Sequence, residues 1–273
     1  MDTQELTKLE DLAKTLRRKI LTVIHRAGSG HPGGSLSAID LVTALYFGNI
    51  MKYDPANPKD PGRDRFLLSK GHASAMFYCV LAQAGYFPEN DLVDYRKINS
   101  KLFLSGHPHP KTPGVEIASG SLGQGLSVGH GIALGLKESF PDSRVYVVMG
   151  DGELQEGQVW EAAMSAAKFK SSNLIAIVDN NKVAQDNITK DLKDLEPLED
   201  KWASFGWDVL RIDGHDMGQI MDALSKPVAK DKPRVIIADT IKGKGVSFME
   251  GKTAWHGVAP SDEDFSKALA ELA

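Results

Sequence analysis

Apolar positions recur at helical spacing near the start of the chain. Between Leu6 and Ile24 they fall mostly three or four residues apart, which predicts a long amphipathic helix that ends near Gly28. A second helix is predicted over residues 38–47, before a loop over 54–64 that is rich in Pro and Asp. The first part of the chain is therefore expected to be mainly helical.

Further along the chain, short apolar runs alternate with helical patterns. Strands are predicted at 65–68, 145–149, 174–178, 209–212 and 234–239. Helices are predicted at 73–84, 155–169, 197–205, 217–225 and 262–272, with a Pro-rich loop at 106–114 and a glycine-rich segment at 119–135. This alternation predicts an α/β fold, a doubly wound and mainly parallel sheet with helices on both faces. We expect a single domain over residues 1–273.

Composition and charge narrow the class of protein. At 273 residues and 42% hydrophobic content the chain can bury an extended sheet, and a net charge of -4 without a basic stripe argues against a nucleic-acid partner. The lone cysteine, Cys79, lies in an apolar run and is typical of a buried thiol in a reducing cytoplasm. No apolar run is long enough for a membrane span, and the charged N-terminus lacks the pattern of a signal peptide.

Polar side chains follow two of the predicted strands. Gly150-Asp151-Gly152 comes directly after the strand at 145–149, and Asn181 follows the strand at 174–178. Ligands of doubly wound sheets bind at the carboxyl ends of the strands, so the carboxylate and the carboxamide are expected to lie together. Such oxygen ligands suit Mg²⁺ or Ca²⁺, and the glycines and the start of the next helix suit the phosphates that the cation neutralises.

Two other glycine patterns fail as phosphate motifs. Gly251-Lys252-Thr253 ends like a P-loop, but the preceding glycine is one residue too distant and no strong strand leads into the loop. The glycines of 120–125 stand in the wrong order for a dinucleotide fingerprint, and no predicted strand precedes them. Neither an NTP site nor an NAD site is favoured.

Several histidines lie in loops beside glycine. They are His31, His72, His107 and His256. A single loop histidine is typical of a solvated side chain, but imidazoles can also donate to phosphate or hydroxyl oxygens and carry protons near neutral pH. Together with the Asp151 and Asn181 segments, these loops resemble the N-terminal, diphosphate-binding domain of transketolase, and the resemblance covers about residues 17–260.

The resemblance implies a thiamine diphosphate cofactor and assigns roles to individual residues. The implied metal ligands are Asp151, Asn181 and the carbonyl of Val183. The implied cofactor-binding residues are His72, Gly120, Leu122, Gly150, Asp151, Gly152, Asn181 and His256. His31, His107 and His256 are implied as catalytic residues that face the substrate hydroxyls, and Glu156 and Glu161 as residues of a subunit interface.

The resemblance also implies a partner. Transketolases are more than twice as long and carry a pyrimidine-binding domain, which supplies an essential glutamate, and a C-terminal domain. We therefore expect the N-terminal subunit of a split, two-chain transketolase, an α2β2 heterotetramer that transfers a ketol unit from a ketose phosphate to an aldose phosphate. Xylulose 5-phosphate and ribose 5-phosphate of the pentose phosphate pathway are the default substrates, although split enzymes for branched or sulfonated sugars would look similar.

Three alternatives remain open from the sequence. A deoxyxylulose-phosphate synthase fragment would also fit Lys242-Gly-Lys-Gly245 and the Gly-His-Pro-His sequence at 106–109. The α subunit of a 2-oxo acid dehydrogenase would share the metal segments but fits the histidine loops less well. A non-catalytic cofactor-binding subunit would keep the fold without the chemistry.

Overall fold

The computed structural model describes residues 2–273, and its five strands form one parallel sheet. The strands are β1 (Arg65–Leu68), β2 (Val145–Gly150), β3 (Leu174–Asn180), β4 (Asp208–Asp213) and β5 (Arg234–Asp239). They lie in the order β1-β2-β3-β5-β4. Gly150 pairs with Asp179, and Asn180 pairs with Asp239, so the carboxyl ends of three central strands are level. Side chains that follow β2 and β3 are thereby brought side by side.

Helices cover both faces of this sheet, as the sequence predicts. They are α1 (Thr3–Ala27), α2 (Pro32–Phe47), α3 (Ser74–Gln83), α4 (Gly125–Ser139), α5 (Gly157–Lys168), α6 (Thr189–Lys193), α7 (Leu198–Ser204), α8 (Met217–Ser225) and α9 (Asp262–Glu271). Alternate residues of β2 enter two different cores: Tyr146 and Val148 pack with α1, α2, α3 and α8, whereas Val145 and Val147 pack with α4, α5 and α7. The α/β fold class is confirmed.

The first helix has the predicted bounds for physical reasons. Asp2 accepts a hydrogen bond from the Glu5 backbone at 2.8 Å, and the Glu5 side chain accepts from the Asp2 backbone, which is a capping box. Gly28 ends α1 in the left-handed region with φ of 61°, where glycine is favoured. No helix within residues 2–273 is both long and apolar enough to cross a membrane.

Two differences from the sequence prediction, one helix boundary and one missed helix, involve glycines. Helix α2 begins at Pro32 rather than at residue 38, because the Pro-Gly-Gly sequence forms a buried first turn with proline near its start. Helix α4 occupies residues expected only to be glycine-rich. A Cβ at Gly129 would lie 2.5 Å from Val147, and one at Gly125 would lie 2.2 Å from the Ser69 hydroxyl oxygen. These glycines thus allow close packing of the helix on the sheet rather than flexibility.

Candidate cofactor and substrate site

A cavity of about 340 Å³ lies at the carboxyl end of the sheet. It is lined by every residue that the sequence suggested for metal, cofactor or substrate. These are His31, His72, His107, Gly120, Leu122, Gly150, Asp151, Gly152, Asn181, Val183 and His256. They come from loops far apart in the chain, so the fold brings the suggested residues into one space.

Asp151 is held rigidly at the end of β2. It is 4% exposed; one carboxylate oxygen accepts from the Gly152 N–H at 2.8 Å, and the other accepts from the Lys182 N–H at 2.7 Å and the Thr189 hydroxyl at 2.8 Å. Burial raises the pKa of Asp151, and the nearby Asp179 acts in the same direction, while these hydrogen bonds oppose the rise. The carboxylate is thus fixed in orientation beside the cavity.

Asn181 is oriented by Asp179, a residue that no sequence motif indicated. The Asn181 amide nitrogen donates to the Asp179 carboxylate at 3.1 Å, and the amide oxygen accepts from the Val183 N–H at 3.1 Å. Because a carboxylate can only accept, the amide nitrogen must face Asp179 and the amide oxygen must face away from it. This leaves the oxygen as the group that could bind a cation.

The donor set fits a hard cation. Asp151 offers a carboxylate, Asn181 a carboxamide oxygen, and Val183 a backbone carbonyl, which are the oxygen ligands that Mg²⁺ and Ca²⁺ prefer. Nowhere in residues 2–273 do three His, Cys, Asp or Glu side chains converge on a metal position. A cation in this cavity would therefore depend on the amide and carbonyl oxygens.

An ion pair between Lys70 and Asp179 lies beneath the cavity. The side chains are 1% and 0% exposed, and the Lys70 ammonium also donates to the Gly34 carbonyl at 2.9 Å. Burial alone would raise the pKa of Asp179, but Lys70 and the hydroxyls of Ser37 and Thr240 lower it below its ordinary value. The carboxylate is thus kept ionised in the interior. A charged residue at the end of an apolar strand was the signal that could have drawn attention to Asp179.

Lys242 adds a second ammonium group to the cavity wall. It donates to the carbonyls of Val183 at 3.0 Å and Ala184 at 2.8 Å, and it lies 2.8 Å from Nδ1 of His256. Burial and the charge of Lys70 lower the pKa of Lys242 to about 8. Because Lys70 is paired with Asp179, it is mainly the Lys242 ammonium that would attract an anion such as a diphosphate to the cavity.

Three histidines form a cluster of neutral imidazoles. Ring centroids of His31, His72 and His256 are 5.2 to 5.4 Å apart. Burial, followed by positive neighbours, lowers the pKa of His31 and of His256 to about 4 and brings that of His72 well below its ordinary value. His107 lies more exposed at the rim, where partial burial and Arg96 lower its pKa. Neutral imidazoles can each donate one hydrogen bond and accept another.

The two glutamates suggested for an interface lie outside the cavity. Glu156 directly precedes α5 and Glu161 lies on it, both exposed to solvent. Glu153, which no sequence motif indicated, is buried instead. One of its oxygens accepts from the Ser69 hydroxyl and from the Gly123 N–H at 2.9 Å, and the other from the Gly150 N–H at 3.1 Å. Glu153 therefore links the end of β2 to the two loops that carry Ser69 and Gly123.

Comparison with known sequences identifies relatives over the whole length of the chain. One subunit of the apulose-4-phosphate transketolase from Actinobacillus succinogenes is 43% identical, with 97% of this chain and 96% of the relative covered. The SqwG subunit of 6-deoxy-6-sulfo-D-fructose transketolase from a Clostridium species is also 43% identical, and the match covers 99% of this chain and 98% of the relative. Human transketolase is 41% identical over 94% of this chain but only 40% of the human protein.

Solved structures agree with the sequence comparison. Transketolase from Campylobacter jejuni matches with a TM-score of 0.91 and 35% identity over 100% of this chain and 43% of that chain. Transketolase from Leishmania mexicana matches with a TM-score of 0.91 and 32% identity, over 97% of this chain and 41% of that chain. The chain thus spans about two fifths of these enzymes. A family profile described as transketolase, thiamine diphosphate binding domain, matches residues 9–272. The chain therefore belongs to the transketolase family and carries its thiamine diphosphate-binding domain.

Proposed function

We propose that this chain is the N-terminal subunit of a two-chain transketolase that transfers a two-carbon ketol unit from a ketose phosphate to an aldose phosphate. The observation that carries the proposal is the single cavity in which an oxygen ligand set, two lysines and four histidines meet. Similarity over nearly the full length of relatives named as transketolase subunits supports the two-chain form.

The floor of the cavity would hold the cofactor. Asp151, Asn181 and the Val183 carbonyl would bind Mg²⁺ or Ca²⁺. The Lys242 ammonium, which donates to that carbonyl in the structure, would then turn from it to face the diphosphate oxygens together with His72. Gly150 and Gly152 leave room for the diphosphate, since a Cβ at Gly150 would meet no atom closer than 4.0 Å. Bound thiamine diphosphate supplies the carbon nucleophile that carries the ketol unit.

The walls of the cavity would hold the cofactor ring and the substrate. Gly120 has φ of +143°, and a Cβ there would lie 3.1 Å from the His107 ring, so glycine allows the two loops to meet. Leu122 is 39% exposed and would pack against the pyrimidine side of the cofactor. His31, His107 and His256 would hydrogen-bond the sugar hydroxyls, a role that suits neutral imidazoles.

A partner subunit would complete the site. In our proposal residues 1–273 form one diphosphate-binding domain, and a second chain supplies the pyrimidine-binding domain, its essential glutamate and the C-terminal domain in an α2β2 assembly. Exposed Glu156 and Glu161 would contact the neighbouring subunit. The one cysteine, Cys79, is buried and free, which suits the cytoplasm that we propose as its location.

The test is ketol transfer by the chain alone and by the complex co-purified from its own cells. Both would be supplied with thiamine diphosphate, Mg²⁺ and ribose 5-phosphate. Donors would be xylulose 5-phosphate of the pentose phosphate pathway, apulose 4-phosphate and 6-deoxy-6-sulfofructose, because the last two appear in the names of relatives. Pyruvate would be included as the donor expected of a deoxyxylulose-phosphate synthase or a 2-oxo acid dehydrogenase.

The outcomes separate the proposals. Transfer only by the complex supports a split transketolase, and transfer by the isolated chain contradicts the need for a partner glutamate. Activity with pyruvate alone replaces the transketolase proposal. Asp151→Ala in an intact complex should abolish transfer, and full activity of that variant at saturating Mg²⁺ would refute the metal site. If the complex binds cofactor but transfers no ketol from any donor, the chain is a non-catalytic cofactor-binding subunit.

A further inference from the structure

Arg96 does not line the cavity, but it contacts His31, one of the three clustered histidines. It has φ of 59°, a conformation that is uncommon for a residue with a side chain. One guanidinium nitrogen donates to the Ser29 hydroxyl, and another lies 3.3 Å from Nδ1 of His31. A Cβ at Gly106 would be 2.9 Å from the guanidinium. The head group is therefore confined between this loop and the segment that precedes α2.

This contact determines which nitrogen of His31 carries the proton. A guanidinium has only donors and stays charged, so Nδ1 of His31 must accept. The neutral ring then carries its proton on Nε2. Nε2 lies beside Gly257, since a Cβ placed on Gly257 would be 3.3 Å from it. Gly257 directly follows His256, which lines the cavity. His31 consequently presents a donor on the ring edge remote from Arg96.

The surroundings of His31 also oppose a second proton. Burial lowers the pKa of His31 most, and the neighbouring Arg96, His107 and Lys242 lower it further, to about 4. Protonation at Nδ1 would additionally place an N–H against the guanidinium N–H groups. The ring is thus a fixed neutral donor across the neutral pH range.

We propose that Arg96 is a positioning residue that holds His31 as the Nε2–H tautomer, so that His31 donates a hydrogen bond to an oxygen of the substrate. The identification of that oxygen as a sugar hydroxyl rests on the proposed function, whereas the tautomer does not. His256 provides a comparison within the same cavity. Its Nδ1 faces the Lys242 ammonium at 2.8 Å, so its tautomer is fixed by a different cation.

Nitrogen NMR of the full-length chain labelled with ¹⁵N-histidine reads the tautomer directly, because protonated and unprotonated ring nitrogens resonate in separate regions. Loss of signals in His31→Gln and in His256→Gln assigns the two rings. In the unsubstituted chain we expect His31 to be Nε2–H. In Arg96→Met we expect a mixture of both tautomers for His31 and an unchanged His256.

A matched substitution controls for charge and for local structure. Lys97→Met removes a positive charge from the adjacent residue, whose side chain is 58% exposed and forms a salt bridge with Asp94 at 3.5 Å. It should leave the His31 signals unchanged. Should Arg96→Met not fold, Arg96→Gln tests the same expectation, since its neutral amide can donate or accept and so permits either tautomer.

Kinetics of the assembled two-chain enzyme give the second readout. A hydrogen bond made equally in the ground and transition states affects mainly KM, so Arg96→Met should raise KM for the donor about two- to tenfold with a smaller change in kcat. Lys97→Met should keep both within about twofold by the same reasoning. A His31 proton on Nδ1 in the unsubstituted chain, or an unchanged tautomer in a folded Arg96 variant, overturns the proposal. If Arg96→Met shifts the tautomer of His31 but the unsubstituted assembly itself transfers no ketol, the tautomer proposal stands and the proposed function is refuted.

Discussion

Replacing Lys70 by methionine would leave a carboxylate unpaired in the interior. Lys70 and Asp179 are 1% and 0% exposed, and the remaining partners of Asp179 are neutral: Ser37 at 2.6 Å, Asn181 at 3.1 Å and the Thr240 hydroxyl. Removing one partner of a buried pair costs about 3–5 kcal/mol. With an unfolding entropy of about 2.1 cal/mol/K per residue, this corresponds to a fall in Tm of about 5–9 °C for a chain of this length.

The loss should also depend on pH, which tests the electrostatic cause. In the unsubstituted chain the pKa of Asp179 is lowered, so its contribution is present above the ordinary pKa and is lost as pH falls through the lowered value. In Lys70→Met the folded-state pKa should instead be raised by burial. The free energy of unfolding of the variant then falls as pH rises from the ordinary pKa of an aspartate to the raised folded-state pKa, by up to about 1.4 kcal/mol per pH unit. The deficit should be larger at pH 8 than at pH 5.

Urea unfolding followed by circular dichroism at both pH values measures the deficit. Lys267→Met is the control, because it removes a solvent-exposed pair with Glu263 at 2.7 Å and should leave the free energy of unfolding nearly unchanged at both pH values. A deficit for Lys70→Met below about 1 kcal/mol, or one that is equal at the two pH values, would refute the reasoning.

Three further outcomes are expected. Asp151→Asn should weaken magnesium-dependent binding of thiamine diphosphate at least about tenfold in calorimetry, because one metal-ligand charge is lost; unchanged affinity would exclude Asp151 as a ligand. His31 and His256 have folded pKa values of about 4, below the unfolded value, so stability should fall as pH drops from about 6.5 towards 4. In a double variant, His31→Asn with His256→Asn, the free energy of unfolding measured by urea titration should depend less on pH. An equal pH dependence in the variant and the unsubstituted chain would show that other groups titrate. Gly125→Ala should cost about 1–3 kcal/mol, since its Cβ would lie 2.2 Å from a side-chain oxygen of the loop after β1. Gly131→Ala on the same helix is the control: its added Cβ would have no atom within 4 Å, so the substitution should be neutral or stabilising by up to about 1 kcal/mol. Equal effects of the two substitutions in thermal melts would contradict the packing argument.

Local patterns in the sequence predicted most of the fold. Apolar runs buried on both faces mark β2 and β3 clearly, and the alternation with helices indicates the parallel sheet. Helix α4 was missed because glycine lowers helix propensity, and only the neighbouring sheet shows why small residues are needed there.

The site was predictable only in part. Asp151 and Asn181 follow strand ends, so sheet geometry alone brings them together. The contacts that orient the site join residues far apart in the chain: Lys70 and Asp179 are separated by 109 positions, Ser69 and Glu153 by 84. No local pattern encodes such pairs, because each depends on the complete packing of the sheet and its loops.

The buried Glu153 carboxylate has a consequence for how the cavity receives its cofactor. Its hydrogen bonds tie the end of β2 to the Ser69 loop and to Gly123, so the floor of the cavity is shaped by the interior of this one chain. A cofactor that enters the cavity would therefore meet a floor whose loops are already tied together, and little ordering entropy would oppose its binding.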